Sequence, residues 1–163
     1  RTRNGRIGVL ATNVTLNGSR FSVLVEKYGT GVEVYTSPAP GLVSLVEAGK
    51  LDTAETWELL HKYLDPLMEK GIDTLVLGCT HYPFLRPVIE KICGPEVAVL
   101  DTGPAVARQA RRILEQRNLL NPENGPGKET FYTSGDPAAV AEVIAKLWPD
   151  PVSRVLPVRM NQA

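Results

Sequence analysis

The chain has 163 residues and a mass of 17.8 kDa, which suits one domain, or one domain plus part of another, and a chain of this length can bury about 68–70% of its unfolded surface. Its 18 Lys and Arg balance 18 Asp and Glu with no block of like charge, which argues against a nucleic-acid footprint or a polybasic membrane patch. The longest apolar stretches fall far short of the ~20 residues that span a bilayer, and the two cysteines, Cys79 and Cys93, suit neither a disulfide framework nor paired C-x-x-C metal ligation, so a soluble chain of a reducing cytoplasm is expected.

The opening residues Arg1-Thr2-Arg3-Asn4-Gly5 show neither an initiator Met nor a signal-peptide pattern, and the chain is read as a fragment. Ile7 to Ala11 is a short β-branched run, hence a strand. The polar loop Thr12 to Gly18 follows, and then a helix carries Phe21, Leu24, Val25 and Tyr28 at helical spacing. Val32 to Tyr35 reads as a second strand, and Pro38 to Pro40 open a helix bearing Leu42, Val43, Leu45 and Val46 that stops at Gly49. A third helix runs from an N-cap at Asp52 to Gly71, with Pro66 expected to kink or split it. Ile72 to Leu77 is the cleanest buried-strand signal, and Gly78-Cys79-Thr80-His81-Tyr82 leads into a helix that Pro83 starts and Gly94 ends.

Val97 to Leu100 is a further strand and Ala105 to Gln116 a basic amphipathic helix. A loop over 118–128 precedes a strand Thr130 to Ser134 and a helix from Asp136-Pro137 to Trp148, and the last fifteen residues carry no assignment. Strand and helix alternate throughout, which predicts an α/β fold with a mostly parallel sheet flanked by helices.

In open α/β sheets ligands sit beyond the carboxyl ends of the strands, so the residues after Ala11, Tyr35, Leu77, Leu100 and Ser134 are the ones to question. Cys79-Thr80-His81 lies between a buried strand and a helix start. A thiolate there gains from the helix dipole, His81 two residues on can relay its proton, and Thr80 can hold a substrate carboxylate. A small packed cysteine beside a turn histidine satisfies the same residues equally well. Cys79, His81, Cys93 and His61 lack the paired spacing of a zinc site, so no metal is expected. Asp101, Thr12 and Thr15 read as turn and capping residues, Glu47 as a solvated helix edge, Cys93 as packing, and Arg108, Arg111 and Arg112 as a solvated helix face.

One string carries more. Leu77-Gly78-Cys79-Thr80-His81-Tyr82-Pro83, followed by Phe84-Leu85, resembles the signature around the second catalytic cysteine of bacterial glutamate racemases, members of the aspartate/glutamate racemase superfamily. Ile7 to Thr15 resembles the family's strand and threonine-bearing loop, Pro40 to Gly49 its glutamate-bearing helix, and Val99-Leu100-Asp101 and Thr130 to Asp136 its later segments. The resemblance runs from Arg6 to about Leu147. Ala11 for Gly, Val14 for Ala and Phe21 for Tyr depart from the family pattern.

The resemblance implies a cofactor-independent enzyme that interconverts L- and D-glutamate with two thiols on opposite faces of the α-carbon, supplying D-glutamate for peptidoglycan. It implies that Cys79, His81 and Glu47 are catalytic, with His81 assisting Cys79, and that Thr80, His81, Thr12 and Thr15 bind substrate. It further implies that 6–101 is the second domain of the two-domain racemase, that 102–163 completes the first, and that the N-terminal half with the other cysteine is the missing partner. Cys93 does not replace that cysteine, since a helix rising about 1.5 Å per residue sets it on the order of 15 Å from Cys79. An aspartate or hydantoin racemase, and a non-catalytic module binding an amino acid or a partner protein, are the competing readings, and a homodimer is left open.

Overall fold

The structure is a computed structural model and describes residues 2–122, 127, 129–150 and 154–158. Four strands, β1 (Arg6–Ala11), β2 (Glu33–Pro38), β3 (Thr74–Leu77) and β4 (Ala98–Asp101), form an all-parallel sheet in the order β2-β1-β3-β4. The two strands richest in consecutive apolar residues take the centre, where both faces are covered: Leu10, Ala11, Leu75 and Leu77 are all but sealed from solvent. In chain order the helices are α1 (Asn13–Leu16), α2 (Ser19–Tyr28), α3 (Leu42–Glu47), α4 (Ala54–Glu69), α5 (Arg86–Cys93), α6 (Gly103–Gln116) and α7 (Pro137–Leu147), and a single 3-10 turn, Tyr82–Leu85, precedes α5.

The core lies where α3, α4 and α5 bury Leu42, Val46, Leu60, Leu64, Val88 and Ile89 against β1 and β3. Asp73, buried just before β3, accepts hydrogen bonds from the Thr2 and Thr74 hydroxyls (2.6 and 2.8 Å) and from the Arg3 and Asn4 N–H groups (2.5 and 2.7 Å), which ties the residues leading into β1 onto the sheet. Burial by itself would push its carboxyl up, but those four donors outweigh it and hold the group well below the usual carboxylate range.

Several expectations from the sequence need correction. The fifth strand, β5 (Phe131–Thr133), pairs in parallel with β6 (Val155–Pro157), a strand in the last fifteen residues, which carry no assignment from the sequence. Three residues are too short a run for periodicity to register, so only the pairing partner defines β6. The second strand runs on to Pro38 rather than stopping at Tyr35, because Ala39 donates to the Ala11 carbonyl (3.0 Å) and an edge strand tolerates a proline. The helix expected to open at Pro38 to Pro40, α3, therefore starts only at Leu42, after Gly41 in the left-handed region (φ 90°).

α4 runs unbroken through Pro66. Pro66 and Lys62, whose carbonyl would have been its partner, both lie on the solvent face, where water replaces the lost bond. Its N-cap is Thr53, which accepts from the Thr56 N–H (3.3 Å), while Asp52 accepts from the Trp57 indole (2.6 Å). The polar segment after β1 contains the short helix α1, capped by Thr12. On α2, Phe21 and Val25 are half-buried but Leu24 and Tyr28 are 55% and 69% exposed, so its apolar positions are only partly covered. The loop read over 118–128 and the chain end fall partly outside the described residues.

Candidate functional site

The sheet is parallel, so the carboxyl ends of β1 and β3 emerge side by side. Leu10 pairs with Leu77, and each strand reaches its first polar site residue two positions later, Thr12 after β1 and Cys79 after β3. The gap between the two ends is closed. Gly78 donates to the Leu10 carbonyl (2.8 Å), and a Cβ on Gly78 would lie 2.8 Å from the Ala11 Cβ. Glycine is the residue that lets β3 turn away beside Ala11.

Cys79 is half-buried, with its Sγ 3.8 Å from His81 Nδ1. His81 Nε2 lies in turn 3.3 Å from Glu47 Oε1. A carboxylate can only accept, so Nε2 carries the proton in that contact, and Nδ1 is the nitrogen that faces the thiol. Thiol, imidazole and carboxylate thus form a connected chain, the arrangement in which a base is oriented by a third group. The side chains of His81 and Glu47 are 33% and 66% exposed, so Glu47 does sit at a solvated helix edge while also reaching the imidazole.

Glu47 and His81 are 34 residues apart in sequence, and two buried tyrosines bring them together. Tyr82, next to His81, donates to the Ala39 carbonyl (3.1 Å), and Tyr63 on α4 donates to the Pro40 carbonyl (2.9 Å). Both bonds grip the 39–41 bend that launches α3. Burial pushes the Tyr82 hydroxyl far above the usual phenol range, with Cys79 and Tyr63 adding to the shift, so it stays a donor. Reasoning from the sequence missed these two residues. Their signal was a tyrosine at a position that the pattern Tyr82, Leu85, Val88, Ile89 marks as buried.

The remaining candidates lie as follows. Thr12 and Thr15 stand side by side at the mouth of β1, with hydroxyls 3.0 Å apart and Thr12 also accepting from the Thr15 N–H (3.3 Å). Thr80 is exposed between Cys79 and His81. Cys93 is not part of the site: it is buried at the end of α5, and burial, with Asp65 and Glu90 adding, pushes its thiol up to about 11. Asp101 accepts from the Gly103 N–H (2.8 Å) at the start of α6, and Arg111 and Arg112 pair with Glu115 and Gln109 on that helix's exposed face. His61 pairs with Asp65 (3.0 Å) on the outer face of α4. Among the described residues no cluster of three or more His, Cys, Asp and Glu is placed to hold a metal ion, and no helix is long and apolar enough to cross a membrane.

The family model for Asp/Glu/Hydantoin racemase matches residues 1–110. The chain belongs to that family. Among its relatives, the glutamate racemase of Herpetosiphon aurantiacus is 48% identical over 143 residues, 88% of this chain and 56% of that protein, and the glutamate racemase of Pseudomonas entomophila is 47% identical over 148 residues, 90% and 55% respectively. Solved structures agree on the fold. A glutamate racemase isoform from Bacillus anthracis superposes with a TM-score of 0.85 at 28% identity over 99% of this chain and 60% of that one. The Francisella tularensis glutamate racemase, solved in complex with D-glutamate, gives 0.82 at 27% identity over 96% and 59%. The chain therefore spans a little over half the length of the racemases it matches, and its parallel α/β sheet flanked by helices is the fold of that family.

Proposed function

We propose that this chain contributes one of the two acid/base thiols of a cofactor-independent glutamate racemase. The observation that carries the reading is the connected chain Cys79 Sγ, His81 and Glu47, with contacts of 3.8 and 3.3 Å at the carboxyl end of a central parallel strand. Inversion at the glutamate α-carbon needs a base on one face to remove the proton and an acid on the other to return one. On its face Cys79 removes or delivers the proton, His81 takes up or returns the thiol proton through Nδ1, and Glu47 holds the imidazole in the required tautomer and balances its charge when protonated. Thr80, Thr12 and Thr15 supply hydroxyls for the substrate's carboxylates and ammonium group around the same strand ends.

The second thiol belongs to the part of the racemase length that this chain does not span, since Cys93 is buried in α5. In that reading 6–101 is one domain, consistent with its self-contained four-stranded sheet, and 102–163 completes the other, consistent with the separate pairing of β5 and β6. The product, D-glutamate, serves peptidoglycan synthesis in the bacterial cytoplasm.

Proton NMR of L- and D-glutamate in D₂O with this chain tests the proposal. The expected result is loss of the α-proton signal of one enantiomer without net inversion, abolished by Cys79→Ala. Exchange or inversion that survives Cys79→Ala would overturn it.

A further inference from the structure

Beside the His81–Glu47 contact is an open cavity of about 400 Å³, lined on one side by Val46, Glu47 and His81 and on the other by α7, chiefly Val140, Val143 and Ile144. These α7 positions recur at helical spacing and form one apolar face. Two further contacts fix that face. Leu147 packs against the core cluster, and the Lys146 side chain lies over Gly49, its Cδ 2.8 Å from where a Cβ would be. Gly49, in the left-handed region (φ 67°), ends the helix that presents Glu47, with Gly49 and Lys50 donating to the Val46 and Leu45 carbonyls (both 2.9 Å). Helix α7 is therefore seated two residues from Glu47 and forms one wall of the space beside it.

We infer that α7 is a positioning element for the relay: Val143 and Ile144 form the apolar far wall of the cavity that the Glu47–His81 contact borders, and Lys146 seats the end of α3 so that Glu47 meets the imidazole. A largely exposed carboxylate on a freely rotating side chain orients a histidine poorly, because water competes for both groups. An apolar wall across the cavity offers Glu47 no competing polar partner on that side and lowers the local dielectric around its contact with His81. The charged and titratable groups at this place are Glu47, His81, Lys146 and Asp136, and the Asp136 carboxylate is engaged in capping α7 through the Ala138 N–H (2.9 Å). This inference rests on Cys79, His81 and Glu47 acting as a relay, and its test separates the two claims.

The readout is the rate of iodoacetamide alkylation at Cys79 in the intact chain, scored by mass spectrometry of the Cys79 peptide and expressed as the ratio of the rate at pH 7 to that at pH 10. Glu47→Gln lowers the ratio about tenfold, which corresponds to about one pH unit in the profile. Ile144→Thr and Lys146→Ala each lower it about threefold, or about half a pH unit, and Ile144→Val restores it. Lys146 is exposed, so its variant keeps the fold even if Ile144→Thr weakens it. Parent-like ratios for Ile144→Thr and Lys146→Ala beside a lowered ratio for Glu47→Gln would refute the role of α7 and leave the relay standing. A parent-like ratio for Glu47→Gln would refute the relay, and the role of α7 with it.

Discussion

Gly78 offers a quantitative test of how the site is assembled. A methyl group there would meet the Ala11 Cβ at 2.8 Å and the Leu10 carbonyl oxygen at 3.3 Å, and Gly78 already donates to that same carbonyl at 2.8 Å. The nearest obstacle is a methyl fixed to the backbone of the adjacent central strand, so no side-chain rotation relieves it. Gly78→Ala therefore forces apart the carboxyl ends of β1 and β3, at an overpacking cost of about 1–3 kcal/mol. Ala11→Gly removes a fully buried methyl and adds backbone freedom, for a loss of about 1–2 kcal/mol. In the double variant the methyl is transferred from one strand to the other and the 2.8 Å clash disappears, leaving only the 3.3 Å approach to the Leu10 carbonyl, so the combined loss falls short of the sum by about 1–2 kcal/mol. Urea unfolding of the four proteins, with slopes checked for constancy, measures the coupling. Additive losses, or a Gly78→Ala protein as stable as the parent, would show that the strand ends are not in contact as described.

Three further outcomes follow from the same geometry. Tyr82→Phe strands the buried Ala39 carbonyl and lowers the unfolding free energy by about 1–3 kcal/mol in urea titrations; because burial raises the hydroxyl above its unfolded value, the parent also loses stability as pH climbs past about 10, and the variant lacks that part of the alkaline decline. Asp73 has its carboxyl depressed in the folded chain, so its contribution is present above about pH 4 and drains away as pH falls below that. Asp73→Asn, which faces four donors with a group that is itself partly a donor, is destabilised at neutral pH and shows a shallower acid unfolding profile by circular dichroism. A disulfide exchange reagent at pH 8 titrates Cys79 first and Cys93 only as the chain unfolds, since Cys93 is buried with its thiol raised to about 11; two equal rates would contradict the burial.

What could be read from the sequence divides along physical lines. β1 and β3 were legible because strands covered on both faces are written as apolar runs, and the pair Cys79 and His81 was legible because two reactive side chains follow such a run directly. Helix ends set by a single residue were read less well. Thr53 rather than Asp52 caps α4, and only the side-chain hydrogen bonds distinguish them. Pro66 does not break α4, since a breaker on a solvated face loses one bond that water can make. Strand β6 was beyond reach because three residues have no period.

Glu47 shows where local reading ends. Its spacing on α3 describes a solvated edge, and the structure agrees with that description in full. What the spacing cannot express is the direction in which α3 leaves the sheet, and that direction brings the edge to His81. It is set at the 39–41 bend by Gly41 in the left-handed region and by the hydroxyls of Tyr82 and Tyr63 on consecutive carbonyls. One of those tyrosines is the immediate neighbour of His81. The residue that fixes where the carboxylate arrives is thus held by the same turn as the imidazole that receives it, so a shift of that turn carries both partners together. A motif of consecutive residues after β3 can in this way specify a contact 34 positions away, through a buried hydroxyl that takes no part in the chemistry.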